Sequence, residues 1–232
     1  MSSTNYYKII KPGHVRNPNY GISHEISVPF RMGIIGRTGG GKTNEALNII
    51  HMMSNPKSTF KEIIVYCRNK DEPLYNYLES KLEPDQIRFV EVQTAADIDP
   101  IDSVEQQSLV IFDDLLPLMT NKDVVKKITD YMIRSRKQGG INGVSVMFIS
   151  QTFYGIPKII RQQLSYVILK KINSNKDLSL ILNEFPIGDL DIKKLKGIYA
   201  SCNKGIESNL MIDLNKGALF KNYKLINPEE YK

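Results

Sequence analysis

Cysteine, histidine and long apolar runs are all scarce in this chain of 232 residues. The 2 cysteines, Cys67 and Cys202, lie far apart and outside any metal-ligand spacing. That excludes a disulfide scaffold and a structural zinc site, and it fits a protein of a reducing compartment. The 3 histidines, His14, His24 and His51, form no ligand pattern either. No stretch approaches the ~18 apolar residues of a membrane helix, and the N-terminal Met-Ser-Ser-Thr-Asn-Tyr-Tyr-Lys has no apolar signal core. The sequence therefore predicts a soluble, intracellular protein without membrane contact. Internal repeats, low-complexity tracts and a separate winged-helix or zinc module are also missing. So are the guanine-specific switches D-x-x-G and N-K-x-D. Asn69-Lys70-Asp71-Glu72, Asn121-Lys122-Asp123-Val124 and Asn175-Lys176-Asp177-Leu178 each place the aspartate one position too early, which argues against a regulatory GTPase.

With 41% hydrophobic residues the chain is long enough for one sizeable α/β core and short for two. Its 31 basic residues outnumber 25 acidic ones, a net charge of +6 that suits a polyanionic partner without identifying one. Residues 1–26 are polar and punctuated by Pro12, Gly13, Pro18 and Gly21, and they read as a loosely structured arm. Residues 27–232 read as a single domain, with a core at 28–172 and a less regular extension at 173–232. Strands are predicted at Val28 to Ile35, Glu62 to Cys67, Ile87 to Val92, Ser108 to Phe112, Val144 to Ser150 and Tyr166 to Lys170. Helices are predicted from Thr43 to Asn55-Pro56, around Leu74 to Leu82, and from Asp123 to Lys137. In the last of these Val124, Ile128 and Met132 share a face and Gly139-Gly140 gives the stop. Helices near 176–185 and 189–200 and strands near 209–214 and 218–225 complete the pattern. Alternation of this kind specifies an α/β fold, a mostly parallel sheet with helices on both faces and a small mixed C-terminal extension.

Between the first strand and the first helix lies Gly36-Arg37-Thr38-Gly39-Gly40-Gly41-Lys42-Thr43, a complete G-x-x-x-x-G-K-[ST] loop. Such a loop wraps backbone N–H groups around a polyphosphate, sets a Lys ammonium on the β/γ oxygens and offers a Thr hydroxyl to Mg²⁺. The glycines permit left-handed backbone and close phosphate approach, and the following helix N-terminus favours negative charge. The chemistry indicated is that of a P-loop NTPase with ATP and Mg²⁺ as cofactors.

Hydrolysis also needs a metal anchor and a group to activate water. The run Ser108 to Phe112 ends in Asp113-Asp114, at the strand edge where open α/β sheets bind ligands. Asp113 is the candidate to complete the metal shell with Thr43, and Asp114 to accept a proton from the attacking water. Capping of the next helix is the structural alternative for the pair. Gln151, after the strand Val144 to Ser150, is a candidate sensor of the γ-phosphate, or simply a polar residue entering a loop. Arg134, Arg136 and Lys137 close a helix whose dipole favours cations there. In a ring of identical subunits Arg136 could instead reach a neighbour's site as an arginine finger, with Arg134 and Arg161 as alternatives.

Taken together, the phosphate loop, the ending Ile111-Phe112-Asp113-Asp114, the segment Arg134-Ser135-Arg136 before a strand ending Ser150-Gln151, and Ile156-Pro157-Lys158 with Arg161 carry a resemblance. Over residues 28–172 the chain resembles the HerA/FtsK group of P-loop ATPases, and within it the genome-packaging ATPases of large eukaryotic DNA viruses and virophages. The resemblance implies a homo-oligomeric ring that hydrolyses ATP and moves double-stranded DNA into a capsid, with capsid vertex proteins among its partners. A viral protein of this kind would work in the host-cell cytoplasm or virus factory and travel with the virion. It further implies that the strand ending at Gln151 lies between the phosphate-loop and acidic strands. Asp114 departs from the commoner Glu, which shortens the side chain by one bond, ~1.5 Å.

A translocase grips phosphates without regard to sequence, so the basic and aromatic segments 137–143 and Thr152 to Arg161 are the DNA-contact candidates. Phe153 and Tyr154 read rather as core packing beneath the sheet edge, and Lys193, Lys194 and Lys196 as one solvated helix face. An ATPase acting in DNA replication or transfer is an alternative role. A small-molecule kinase would not need Asp114, and a nucleotide-binding assembly protein would not need an intact metal pair and acid.

Overall fold

A computed structural model describes residues 17–139 and 143–230. The elements in chain order are β1 (Arg31–Ile35), α1 (Lys42–Ser54), β2 (Glu62–Cys67), α2 (Pro73–Glu79), β3 (Ile87–Glu91), β4 (Ser108–Asp113), α3 (Lys122–Arg134), β5 (Ser145–Ser150), α4 (Lys158–Arg161), β6 (Tyr166–Leu169), α5 (Asn175–Glu184), α6 (Ile192–Cys202), β7 (Leu210–Asp213), β8 (Ala218–Lys221) and β9 (Lys224–Ile226). Among the described residues the strands form one 9-stranded sheet in the order β3-β2-β4-β5-β1-β6-β7-β8-β9. Pairing is parallel from β3 through β6 and antiparallel from β6 through β9.

Because helices cover both faces, the central strands are apolar at successive positions rather than alternate ones. In β4, Leu109 and Ile111 join a core with Ala46, Ile49 and Met53 of α1, while Val110 and Phe112 join the opposite core with Ile128 and Tyr131 of α3. Phe112 stacks on Tyr66 at 5.3 Å and meets Tyr131 edge-on at 5.4 Å. Cys67 and Cys202 are free and buried, one in each core. The N-cap of α3 is Asn121, whose side chain accepts from the N–H groups of Asp123 and Val124. The helix then tightens into a 3₁₀ turn at Ser135–Lys137, and Gly140, part of its expected stop, lies outside the described residues.

Four expectations are corrected. The first strand starts at Arg31 rather than Val28; Pro29, which has no N–H to give a ladder, precedes it. Residues 17–26 are not a loose arm. Asn17, Asn19, His24 and Ile26 are buried, and the Asn19 amide donates to the carbonyls of Met53 at 2.8 Å and Lys57 at 2.7 Å. This strap thereby donates to one carbonyl in the last turn of α1 and to another just beyond it; residues 1–16 lie outside the described residues. The single strand expected at 218–225 is a hairpin of β8 and β9, turned at Asn222 and Tyr223 with φ of 47° and 66°. The short helix α4, started by Pro157, was not expected.

Candidate nucleotide site

The phosphate loop joins the C-terminal end of β1 to α1, and neighbouring strand ends hold it in place. The Gly36 N–H donates to the Ser150 carbonyl at 3.0 Å and the Arg37 N–H to the Lys171 carbonyl at 2.7 Å. Three glycines leave no room for a side chain without a shift of their neighbours, Gly40 among them, whose Cβ would lie 2.8 Å from the Arg37 carbonyl oxygen. A Cβ on Gly36 would lie 2.7 Å from Cβ of Lys170, and Gly41, with φ of +81°, would place one 2.7 Å from the Ile206 carbonyl oxygen. From Gly41 the chain enters α1, whose first turn presents N–H groups without intrahelical acceptors.

Adjacent strands bring the acidic and amide groups to the same edge. Asp113 ends β4, paired with Cys67 on β2 and Ile149 on β5. Gln151 follows β5, which lies between β4 and β1, the order the resemblance implied. A cavity of about 450 Å³ is lined by Thr38, Gly39, Gly41, Lys42, Thr43, Asp113, Asp114 and Gln151. Of the residues singled out from the sequence, these are the ones the fold assembles. Gly36, Gly40 and Arg37 shape the loop from outside that wall.

Electrostatics within the cavity are mutually adjusted. Lys42 donates to the Arg37 carbonyl at 3.2 Å. Burial lowers its pKa, and Asp113 and Asp114 oppose that shift. Burial lifts the Asp113 carboxyl to about 6; the Tyr75 hydrogen bond and Lys42 pull it down, while Asp114 and Glu72 push it up. Asp114 adopts φ of 54°, a left-handed conformation that aspartate tolerates better than most residues. Its carboxylate accepts from the Gln151 amide at 3.1 Å. Among the described residues no group of three or more His, Cys, Asp or Glu could hold a metal ion by itself. One hydroxyl and one carboxylate, Thr43 and Asp113, could instead serve as the sparse oxygen set with which Mg²⁺ is commonly held beside a phosphate.

The arginines fall elsewhere. Arg136 is exposed in the turn that precedes β5, close enough to Arg31, the first residue of β1, for its charge to lower the Arg31 pKa after burial. Both sit at the sheet edge opposite the phosphate loop. Arg134 is paired with Asp102 on the surface. Arg161 is internal: it holds Glu184 through two hydrogen bonds of 3.0 and 2.6 Å, donates to the carbonyls of Tyr154 and Ile156, and lies over the Phe153 ring at 5.4 Å. Arg161 is thus corrected from a candidate finger or phosphate contact to a structural residue. Phe153 is core, whereas Tyr154 and Lys158 are exposed. Of the basic segment at 137–143, residues 140–142 lie outside the described residues.

Several residues of the site escaped the sequence. Tyr75, at the start of α2, donates from its hydroxyl to Asp113, and Arg68, Asn69, Glu72 and Ile206 line the same cavity. Behind the loop, Lys170 and Glu45 form an ion pair of 2.6 Å with both side chains 0% exposed. Asn209 at 2.8 Å and Tyr223 complete the Glu45 carboxylate. A signal existed for this pair: Glu45 falls on the same helical stripe as the buried Ile49 and Met53, and Lys170 closes an apolar strand.

Several solved structures share this fold. The DNA-packaging ATPase B204 of Sulfolobus Turreted Icosahedral Virus is 13% identical, with a TM-score of 0.54 over 86% of this chain and 98% of that one. The genome packaging NTPase B204 of Sulfolobus turreted icosahedral virus 2, solved with AMP, gives a TM-score of 0.57 at 11% identity, over 85% and 98% of the two chains. EssC (ATPases 2 and 3) of Geobacillus thermodenitrificans gives 0.57 at 10% identity, covering 87% of this chain and 40% of that one. Among curated protein sequences none matches significantly. The family model described as Poxvirus A32 protein matches residues 20–212, taking in most of the strap and most of the C-terminal extension that the resemblance had left aside. With the loop, the acidic pair and Gln151 on one cavity and that match over most of its length, the chain belongs to the poxvirus A32 protein family.

Proposed function

We propose that this chain is an ATP-hydrolysing motor that moves double-stranded DNA and packages a viral genome into a capsid. The observation that carries this is the single cavity lined by Lys42, Thr43, Asp113, Asp114 and Gln151. Phosphoryl transfer asks a protein mainly for positioning and charge, and each of these residues has a role of that kind. The loop N–H groups and Lys42 hold the β- and γ-phosphates. Thr43 and Asp113 would hold Mg²⁺, which would supply charge neutralisation of the phosphates. Asp114 accepts the proton of the attacking water, and Gln151, hydrogen-bonded to Asp114, fixes that carboxylate and senses the γ-phosphate. Support for the nucleotide comes from B204 of Sulfolobus turreted icosahedral virus 2, solved in complex with AMP and with ATP-gammaS.

Arg136 is exposed and does not line its own cavity, which suits service in a neighbour's site within a ring. DNA contact is assigned to the exposed Tyr154 and Lys158 and to the basic segment at 137–143, where ionic contacts with phosphates require no base recognition. Steady-state ATP turnover with and without double-stranded DNA tests the proposal. Turnover rises with DNA and is lost in Lys42→Ala. A protein that stays monomeric with an unhydrolysable analogue and DNA, and whose ATP turnover ignores DNA, would remove both the ring and the motor.

A further inference from the structure

We propose that Tyr75 is a positioning residue for metal binding, its hydroxyl orienting the Asp113 carboxylate so that the carboxylate and Thr43 address one ion. The inference rests on Asp113 being the metal ligand. An ionised carboxylate accepts at about four lone-pair sites, and the Tyr75 hydroxyl occupies one of those on Oδ2. Asp113 and Tyr75 both line the cavity that holds Thr43.

Tyr75 is built to hold that position. It is 2% exposed, and its ring packs against Phe89 of β3, centroids 5.2 Å apart at 44°. Pro73 at the first position of α2 presets the helix start, so the hydroxyl arrives from a supported element rather than from a mobile loop. Leu74 and Glu72 beside it line the cavity too, which makes α2 a wall of the site. Partners that hydrogen-bond a ligating carboxylate fix its rotamer, and losing one typically costs about 10–100-fold in metal affinity.

Tyr75→Phe keeps the ring against Phe89 and removes only the donor. The readout is binding of a fluorescent ATP analogue to the full chain, in EDTA and across a Mg²⁺ titration. Expected is a roughly 10–100-fold rise in the Mg²⁺ concentration for half-maximal effect. Binding in EDTA should stay within about twofold, which also certifies the fold, and kcat should recover at saturating Mg²⁺. A wild-type Mg²⁺ dependence in the variant overturns the inference and leaves the proposed function standing. Tighter Mg²⁺ binding overturns it too, since the tyrosine would then be a competitor for the carboxylate. A wild-type protein indifferent to Mg²⁺ overturns both.

Discussion

Replacing Lys170 by methionine deletes one charge from the most enclosed ion pair among the described residues, and the outcome separates a buried brace from surface decoration. The Nζ of Lys170 lies 2.6 Å from Oε2 of Glu45, with neither side chain exposed. By contrast, the Arg134–Asp102 pair has side chains 45% and 58% exposed, a class worth about 0.2–1 kcal/mol. Removing one member of a buried pair strands the other, at a cost of about 3–5 kcal/mol. For a chain of this size that lowers the midpoint of thermal unfolding by roughly 2–4 °C per kcal/mol, or roughly 6–20 °C in total. Glu45→Gln keeps an acceptor for Asn209 and Tyr223, so the double variant Glu45→Gln/Lys170→Met should regain a large part of the loss. Urea unfolding followed by circular dichroism, at low and high salt, measures all four corners of the cycle. Salt should change the result little, because water and counterions do not reach the pair. A Lys170→Met cost below about 1 kcal/mol, or a double variant no better than the sum of the singles, would refute the brace.

Other perturbations address the cavity itself. Asp113 has a folded pKa of about 6, above its ordinary 3.8, so the native state binds the extra proton and stability falls as pH rises from about 4 to about 6. Asp113→Asn should therefore make the nucleotide-free protein more stable at neutral pH, by at most about 3 kcal/mol, with no gain below pH ~4; melts across that pH range check it. Gly41→Ala must accommodate φ of +81° and a Cβ 2.7 Å from a carbonyl oxygen, and binding of a fluorescent ATP analogue should fall at least ~10-fold, or ~1.4 kcal/mol. Arg136→Ala should lose turnover while keeping ATP affinity. Mixed with excess Lys42→Ala subunits it should regain activity, because the finger and the loop then come from different copies; absence of rescue under conditions where rings form would remove Arg136 from the role.

Much of the fold was legible because strands covered on both faces read as continuous apolar runs. Glu62 to Cys67 shows this most plainly, being the same element in sequence and structure. The phosphate loop and Asp113-Asp114 were legible because their chemistry is local. Tyr75 was not, since a tyrosine in an amphipathic helix looks like core until the fold sets its hydroxyl against a carboxylate 38 residues away. The hairpin at Asn222–Tyr223 was hidden because neither residue is glycine. Its left-handed turn goes with the Asn222 side chain accepting from the Asn209 N–H at 2.9 Å and the Tyr223 hydroxyl reaching Glu45. The strap at 17–26 misled because its asparagines look like loop polarity, although Asn19 donates to the Met53 carbonyl at the end of α1 and to Lys57 beyond it, and Asn17 to the Ile26 carbonyl within the strap.

Phosphate release by Asp114→Asn, measured beside its binding of ATP, puts the account to its most direct test. The account predicts ATP affinity within about threefold of wild type and turnover lowered at least ~100-fold, the scale of a lost general base. Hydrolysis at the wild-type rate with ATP still bound would contradict it.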